Sequence, residues 1–129
     1  MREILFRGKR VDNGEWIQGY LFKSWDDCYI CWGTDNGKIS NILVIPETVG
    51  QYTGMEDKNG VKIFEGDVLH WDLHCGWYVG YENGAFRKIP LSNIQRINGK
   101  HYPLEQKGLE TWGVIGNIHD NPELREGEE

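Results

Sequence analysis

Glu65 and Asp67, separated by Gly66 and set between the apolar pairs Ile63-Phe64 and Val68-Leu69, present two carboxylates of the kind used for divalent-cation binding or acid-base work. A tight turn asks for the same three residue types, because Gly permits the bend and a flanking carboxylate accepts backbone N–H groups. Turn chemistry accounts for all three, so the segment reads as a structural turn. Cys28 and Cys31 form a C-x-x-C pair, and His70, His74 and Cys75 add nitrogen and sulfur ligands suited to zinc. A zinc knuckle, however, holds its C-x-x-C in a Gly-containing turn. Cys28-Tyr29-Ile30-Cys31-Trp32 instead has the pattern of a strand, which sends the two thiols to opposite faces. No basic neighbour or helix start lowers a thiol pKa, so thiol redox chemistry is disfavoured too. Packed thiols, with no metal and no cofactor, are the expectation.

His119 precedes Asp120, a His-carboxylate pair suggestive of proton transfer, yet no Ser or Cys can be placed beside it. Asp120-Asn121-Pro122 reads more simply as the turn that ends the last strand. The chain shows no nucleophile with its base, no closed ligand set and no phosphate-binding loop. A non-enzymatic protein is therefore expected, and a metal-dependent hydrolase using Glu65, Asp67 and the histidines is the least favoured alternative.

Binding has better support. Trp16, Trp25, Trp32, Trp71, Trp77 and Trp112 are too many large rings for one small core, so some of them must line a surface or an interface. Trp25 and Trp32, flanking Asp26, Asp27 and Cys28, are the first choices for a partner-facing role. The expected partner is a protein or a second copy of the chain. Arg2, Arg7, Lys9 and Arg10 form a local basic cluster near Trp16, which raises single-stranded nucleic acid as an alternative. On a strand these four would split between faces. The formal charge of -6, from 14 basic and 20 acidic side chains, also repels a phosphate backbone.

The elements that must position these residues are strands. A length of 129 residues suits one domain with a single core. Five Asn-Gly pairs begin at Asn13, Asn36, Asn59, Asn83 and Asn98, and each suits the positive backbone angles of a hairpin turn. The runs around the first, second and fourth predict hairpins from Ile4–Arg10 with Glu15–Leu21, Tyr29–Gly33 with Lys38–Ile45, and Trp77–Tyr81 with Ala85–Ile89. Alternation places Leu69, Trp71 and Leu73 on one face, Trp77, Val79 and Tyr81 in a similar stripe, and Trp112, Val114, Gly116 and Ile118 together on a closing strand. Helical periodicity is weak, leaving at most short turns within Pro90 to Ile97 and from Pro122 to Leu124. Glu126 to Glu129 reads as an acidic tail. Three cysteines, an odd number, and the start MREILFRGK, without a long apolar run, suit a reducing cytoplasm with no membrane association.

Four stretches in order, FRGKRVDNGEWIQGY, PETVGQYTG, DKNGVKIFEGDVL and VIGNIHDNPEL, resemble the YopX family of phage and prophage proteins. The resemblance runs from Phe6 to Leu124 and implies a small all-β protein with an SH3-like barrel core, no known chemistry, and a setting inside a bacterial host cell. Combined with the strand reading, the expected organisation is a single domain of residues 1–129. It has an N-terminal β-hairpin extension at 1–45, the barrel core at 46–120, and a C-terminal turn and acidic tail at 121–129.

Overall fold

The structure, a computed structural model, describes residues 3–34, 36–70, 76–91, 101–109 and 111–122. It is all-β. Within the described residues, helical structure consists of a 3-10 turn at Pro46–Thr48 and a four-residue helix at Gln106–Leu109. The chain divides into two compact units, Met1–Tyr52 and Thr53–Glu129.

The first unit contains β1 (Phe6–Lys9), β2 (Trp16–Ser24), β3 (Asp27–Gly33), β4 (Ile39–Val44) and the start of β5 (Gly50–Glu56), in the spatial order β4-β3-β2-β1-β5. Two of its antiparallel hairpins turn on Asn-Gly pairs, with Gly14 at φ 74° and Gly37 at φ 80°. The third, between β2 and β3, turns on Trp25-Asp26 without any glycine. Along β2 the pairing changes partner: residues 16–19 oppose β1 and residues 20–24 oppose β3. The sheet curls until Arg10 bridges Val44, held by Val11 N–H to Leu43 O at 3.1 Å and Ile45 N–H to Lys9 O at 2.8 Å. Ile30 and Val44, both fully buried, and Cys28 form the core inside the curl, with Phe6, Ile17 and Leu21 packed against them.

In the second unit, β6 (Lys62–Phe64) follows β5 through a turn at Asn59-Gly60, with Gly60 at φ 79°. The main sheet has the order β10-β9-β8-β7-β11, from β7 (Asp67–His70), β8 (Gly76–Glu82), β9 (Ala85–Pro90), β10 (Tyr102–Pro103) and β11 (Gly113–Asn117). Asn83 and Gly84 both take positive φ, the type I′ pattern, at the β8–β9 hairpin. The fifth Asn-Gly pair lies outside the described residues, as do Trp71 to Leu73 and most of the coils suggested for Pro90 to Ile97 and Pro122 to Leu124; Pro90 itself is the last residue of β9.

Two expectations change here. The SH3-like barrel is not closed: among the described residues β10 and β11 are the two ends of an open sheet and do not pair. The physical reason is that this sheet buries apolar side chains on both of its faces, whereas a small closed barrel buries only the inner one. Leu69 and Val79 pack with Ile63, Leu104, Leu109 and Trp112, while Val68, Tyr78, Ile89 and Leu91 form a second cluster. Secondly, Trp112, Val114, Gly116 and Ile118 do not share a face. Val114 opposes Leu69 but Gly116 opposes Val68, so Ile115 is the extra residue of a β-bulge and stands 51% exposed. The bulge resets the alternation, so Trp112 and Val114 join the first cluster and Ile118 the second. No helix among the described residues is long and apolar enough to cross a membrane.

Candidate functional site

Directly opposed residues in an antiparallel pair point the same way. The register Tyr20↔Cys31, Phe22↔Tyr29 and Tyr29↔Leu43 therefore gathers three rings on the outer face of β2, β3 and β4, away from Leu21 and Ile30 inside the curl. Tyr20 is 67% and Phe22 55% exposed, and the Phe22 and Tyr29 rings lie 6.1 Å apart at a tilt of 47°. Phe22, Ser24, Tyr29 and Asn41 line a shallow hollow between them. Ile39, at the end of β4, shares this face and is 77% exposed. Next to the patch, Trp25 occupies the β2–β3 turn with its side chain 97% exposed and its backbone at φ 58°. Left-handed backbone is unfavourable for a bulky side chain, and a bare indole gains no burial in return.

The same face carries a basic end. Arg7 and Lys9 alternate along β1, so both point outward, with the Arg7 guanidinium 4.6 Å and the Lys9 ammonium 5.8 Å from the centre of the Trp16 ring. Arg10 instead turns to Asp12, donating from Nε to Oδ1 at 3.0 Å and from Nη2 to Oδ2 at 2.8 Å. Those hydrogen bonds hold the Asp12 carboxyl below its ordinary range. Arg2 is outside the described residues.

The other candidates are dispersed. Trp32 is half-buried and has the strand parity of Cys28 and Ile30, so it does not join the outer patch with Trp25. Cys28 is buried and Cys31 half-buried on the opposite side of β3. His70 is half-buried in β7, and His74 and Cys75 lie outside the described residues. No group of three His, Cys, Asp or Glu suited to a metal occurs among the described residues. Glu65 and Gly66 form the turn between β6 and β7, where Gly66 has φ 94° and donates to Val79 O at 2.7 Å while its carbonyl accepts Ile118 N–H at 2.9 Å. Asp67, only 2% exposed, accepts the Phe64 amide at 2.8 Å. At the end of β11, Asn117 Oδ1 accepts the amides of His119 at 3.0 Å and Asp120 at 2.9 Å, and Asn117 Nδ2 donates to the Asp120 carboxylate.

Sequence reasoning missed Tyr20, Phe22 and Tyr29 as surface residues. Both faces of β2 and β3 carry apolar side chains, so alternation marks the strands without marking their outer side. It also missed Asp57, whose carboxylate accepts three backbone amides, from Asn59 at 2.8 Å, Val61 at 2.9 Å and Val114 at 2.9 Å. The signal was present in Asp57-Lys58-Asn59-Gly60, a turn led by an Asp.

Among solved structures, the chain is similar to protein EF1440 from Enterococcus faecalis, with a TM-score of 0.62 and 23% identity over 97% of this chain and 99% of that one. At that identity the likeness concerns the fold. No curated protein matches. The sequence model of the YopX protein family matches residues 5–126, nearly the whole chain. The four stretches that carry the resemblance thus lie on one continuous match, and this chain belongs to the YopX protein family.

Proposed function

We propose that this protein is a non-enzymatic accessory protein of a phage or prophage, working in the cytoplasm of the bacterial host by binding a protein partner or a second copy of itself. The observation that carries this reading is the outer face of β2 to β4, where Tyr20, Phe22 and the neighbouring Trp25 expose 67%, 55% and 97% of their surfaces. Aromatic side chains supply much contact area at low conformational cost, and they dominate the energetics of protein interfaces. The YopX resemblance supports the phage setting. Light scattering coupled to size exclusion, together with retention of a partner from host and phage lysate, tests the reading. Phe22→Ser and Trp25→Ser are each expected to weaken association by about thirtyfold, and the double variant by up to about a thousandfold, since a hot-spot ring contributes roughly 2 kcal/mol. A wild-type protein that is monomeric and retains nothing, or a variant that associates equally well, would sink the proposal.

A second reading is favoured by one specific observation: Arg7 and Lys9 flank Trp16 on the same face as Tyr20. A cationic ring platform continuing into an aromatic strip is the pattern on which single-stranded nucleic acid stacks. Affinity that falls steeply with salt and quenches tryptophan fluorescence would promote it; the net charge of -6 stands against it.

A further inference from the structure

The second unit holds a feature that the proposed function does not use. On β9, Lys88 lies directly across from Val79 on β8 and from Tyr102 on β10, so its side chain projects over the face that also carries Trp77. Trp77 and Trp112 are stacked at 5.9 Å and 22°, and Tyr102 meets Trp77 edge-on at 5.7 Å and 77°. All three rings lie near the Lys88 ammonium, which is 4.6 Å from the Trp112 ring centre, 5.4 Å from Trp77 and 5.8 Å from Tyr102. Among the described residues no carboxylate pairs with it. Two indoles and a phenol around one nitrogen are an aromatic box for a positive charge, because ring faces are electron-rich and an alkylated ammonium is cheaply desolvated.

Lys88 and Trp112 also line a cavity of about 70 Å³, whose other walls include Pro103, Leu104, Glu105 and Leu109. That space alone is small beside the roughly 300 Å³ at which ligand pockets begin. Lys88 and Trp112 belong to both the cavity lining and the ring cluster, so the two adjoin at these residues. Apolar walls, an acidic side chain and three ring faces suit a ligand with a small apolar body and a positive head. Lysine is the natural residue for a removable occupant, since its four-carbon stem is flexible and its ammonium is readily returned to water.

We propose that the box formed by Trp77, Tyr102 and Trp112 is a binding site for a small alkylammonium ion, and that Lys88 is its resident plug, withdrawn when such an ion enters. Choline and its uncharged carbon isostere dimethylbutanol are the probes, titrated against tryptophan fluorescence at constant ionic strength. Lys88→Met, which keeps the apolar stem, and Lys88→Ala are the variants. Lys88→Ala is expected to bind choline about tenfold more tightly than the wild type, and Lys88→Met by a smaller factor because its stem still fills part of the box. Both are expected to prefer choline over dimethylbutanol by about tenfold, the range of a desolvated cation–π contact. The wild-type protein carries the test even where a variant fails to fold, because saturable choline binding with the same preference is expected there, only weaker. Absence of saturable binding, equal affinity for the two probes, or a wild type that binds as tightly as a folded variant would overturn the proposal.

Discussion

Replacing Asp57 with Ala is expected to lower the free energy of unfolding by about 3 kcal/mol, measured by urea denaturation near neutral pH. Each hydrogen bond to a charged acceptor contributes about 1.5–3 kcal/mol, and a donor left without a partner loses its desolvation cost in addition. Asp57 is 7% exposed and serves three such donors. Two belong to its own turn, Asn59 and Val61, where water rescues part of the loss. The third, Val114, is on β11 and is 57 residues away in sequence, so the carboxylate ties the β5–β6 turn to the edge of the main sheet. Asp57→Asn tests that division. An amide side chain keeps one oxygen for the turn, but its N–H group then faces the Val114 N–H, so a loss nearer to 2 kcal/mol is expected.

The same carboxylate makes stability depend on pH. Burial pushes the Asp57 carboxyl up, but the amides of Val114, Val61 and Asn59 together hold it below the ordinary 3.8. A carboxyl with a depressed value in the folded state binds fewer protons there than in the unfolded chain. Its contribution is therefore complete above the unfolded value and is lost as the pH falls through the folded one. The stability difference between wild type and Asp57→Ala is expected to be constant near neutrality and to shrink below about pH 4. A gap unchanged down to the acid transition would show that the hydrogen bonds do not discriminate the charged form.

Gly19→Ala is the second large effect. A Cβ at Gly19 would lie 2.3 Å from the carbonyl oxygen of Cys31 and 2.9 Å from Ile30 Cγ2. The first obstacle is backbone on the neighbouring strand, so no side-chain rotation relieves it. Gly19 is the last residue of β2 to oppose β1, just before the strand pairs with β3, and close approach there is what lets the sheet curl around Ile30. Overpacking commonly costs about 1–3 kcal/mol, and a clash with fixed backbone belongs at or above the top of that range. Gly33→Ala is the control, since nothing lies within 4 Å of the added carbon and no positive φ constrains it. Its expected change is within about 0.5 kcal/mol. Equal losses in the two variants would mean that strand propensity, not the Cys31 contact, decides.

Much of the local architecture was legible because its causes are local. Gly14, Gly37, Gly60 and Gly84 all adopt positive φ at the Asn-Gly turns, and a residue without Cβ takes that conformation whatever surrounds it. The strand pattern around Cys28 and Cys31 separates the two thiols by simple alternation, with one inside the curl and one outside. The β2–β3 hairpin escaped notice for the converse reason. Its turn is Trp25-Asp26, with Trp25 at a φ where glycine is usual, and no residue type announces it. The five-residue register from Tyr20↔Cys31 to Ser24↔Asp27 imposes the turn through pairing.

By itself, then, the chain determined its all-β class, its Asn-Gly hairpins and its YopX membership, since turn geometry, alternation and order of motifs are properties of neighbouring residues. Which side of each strand meets water was decided only in three dimensions. Tyr20 and Phe22 face out because Leu21 and Ile17 are drawn into the curl around Ile30 and Val44, a choice between two apolar faces that alternation cannot make. Ile118 changes side because one bulged residue, Ile115, shifts the register of β11 against β7. The main sheet buries apolar side chains on both of its faces instead of closing around one of them. Each of these outcomes depends on contacts between residues far apart in the chain, where burial outweighs local preference.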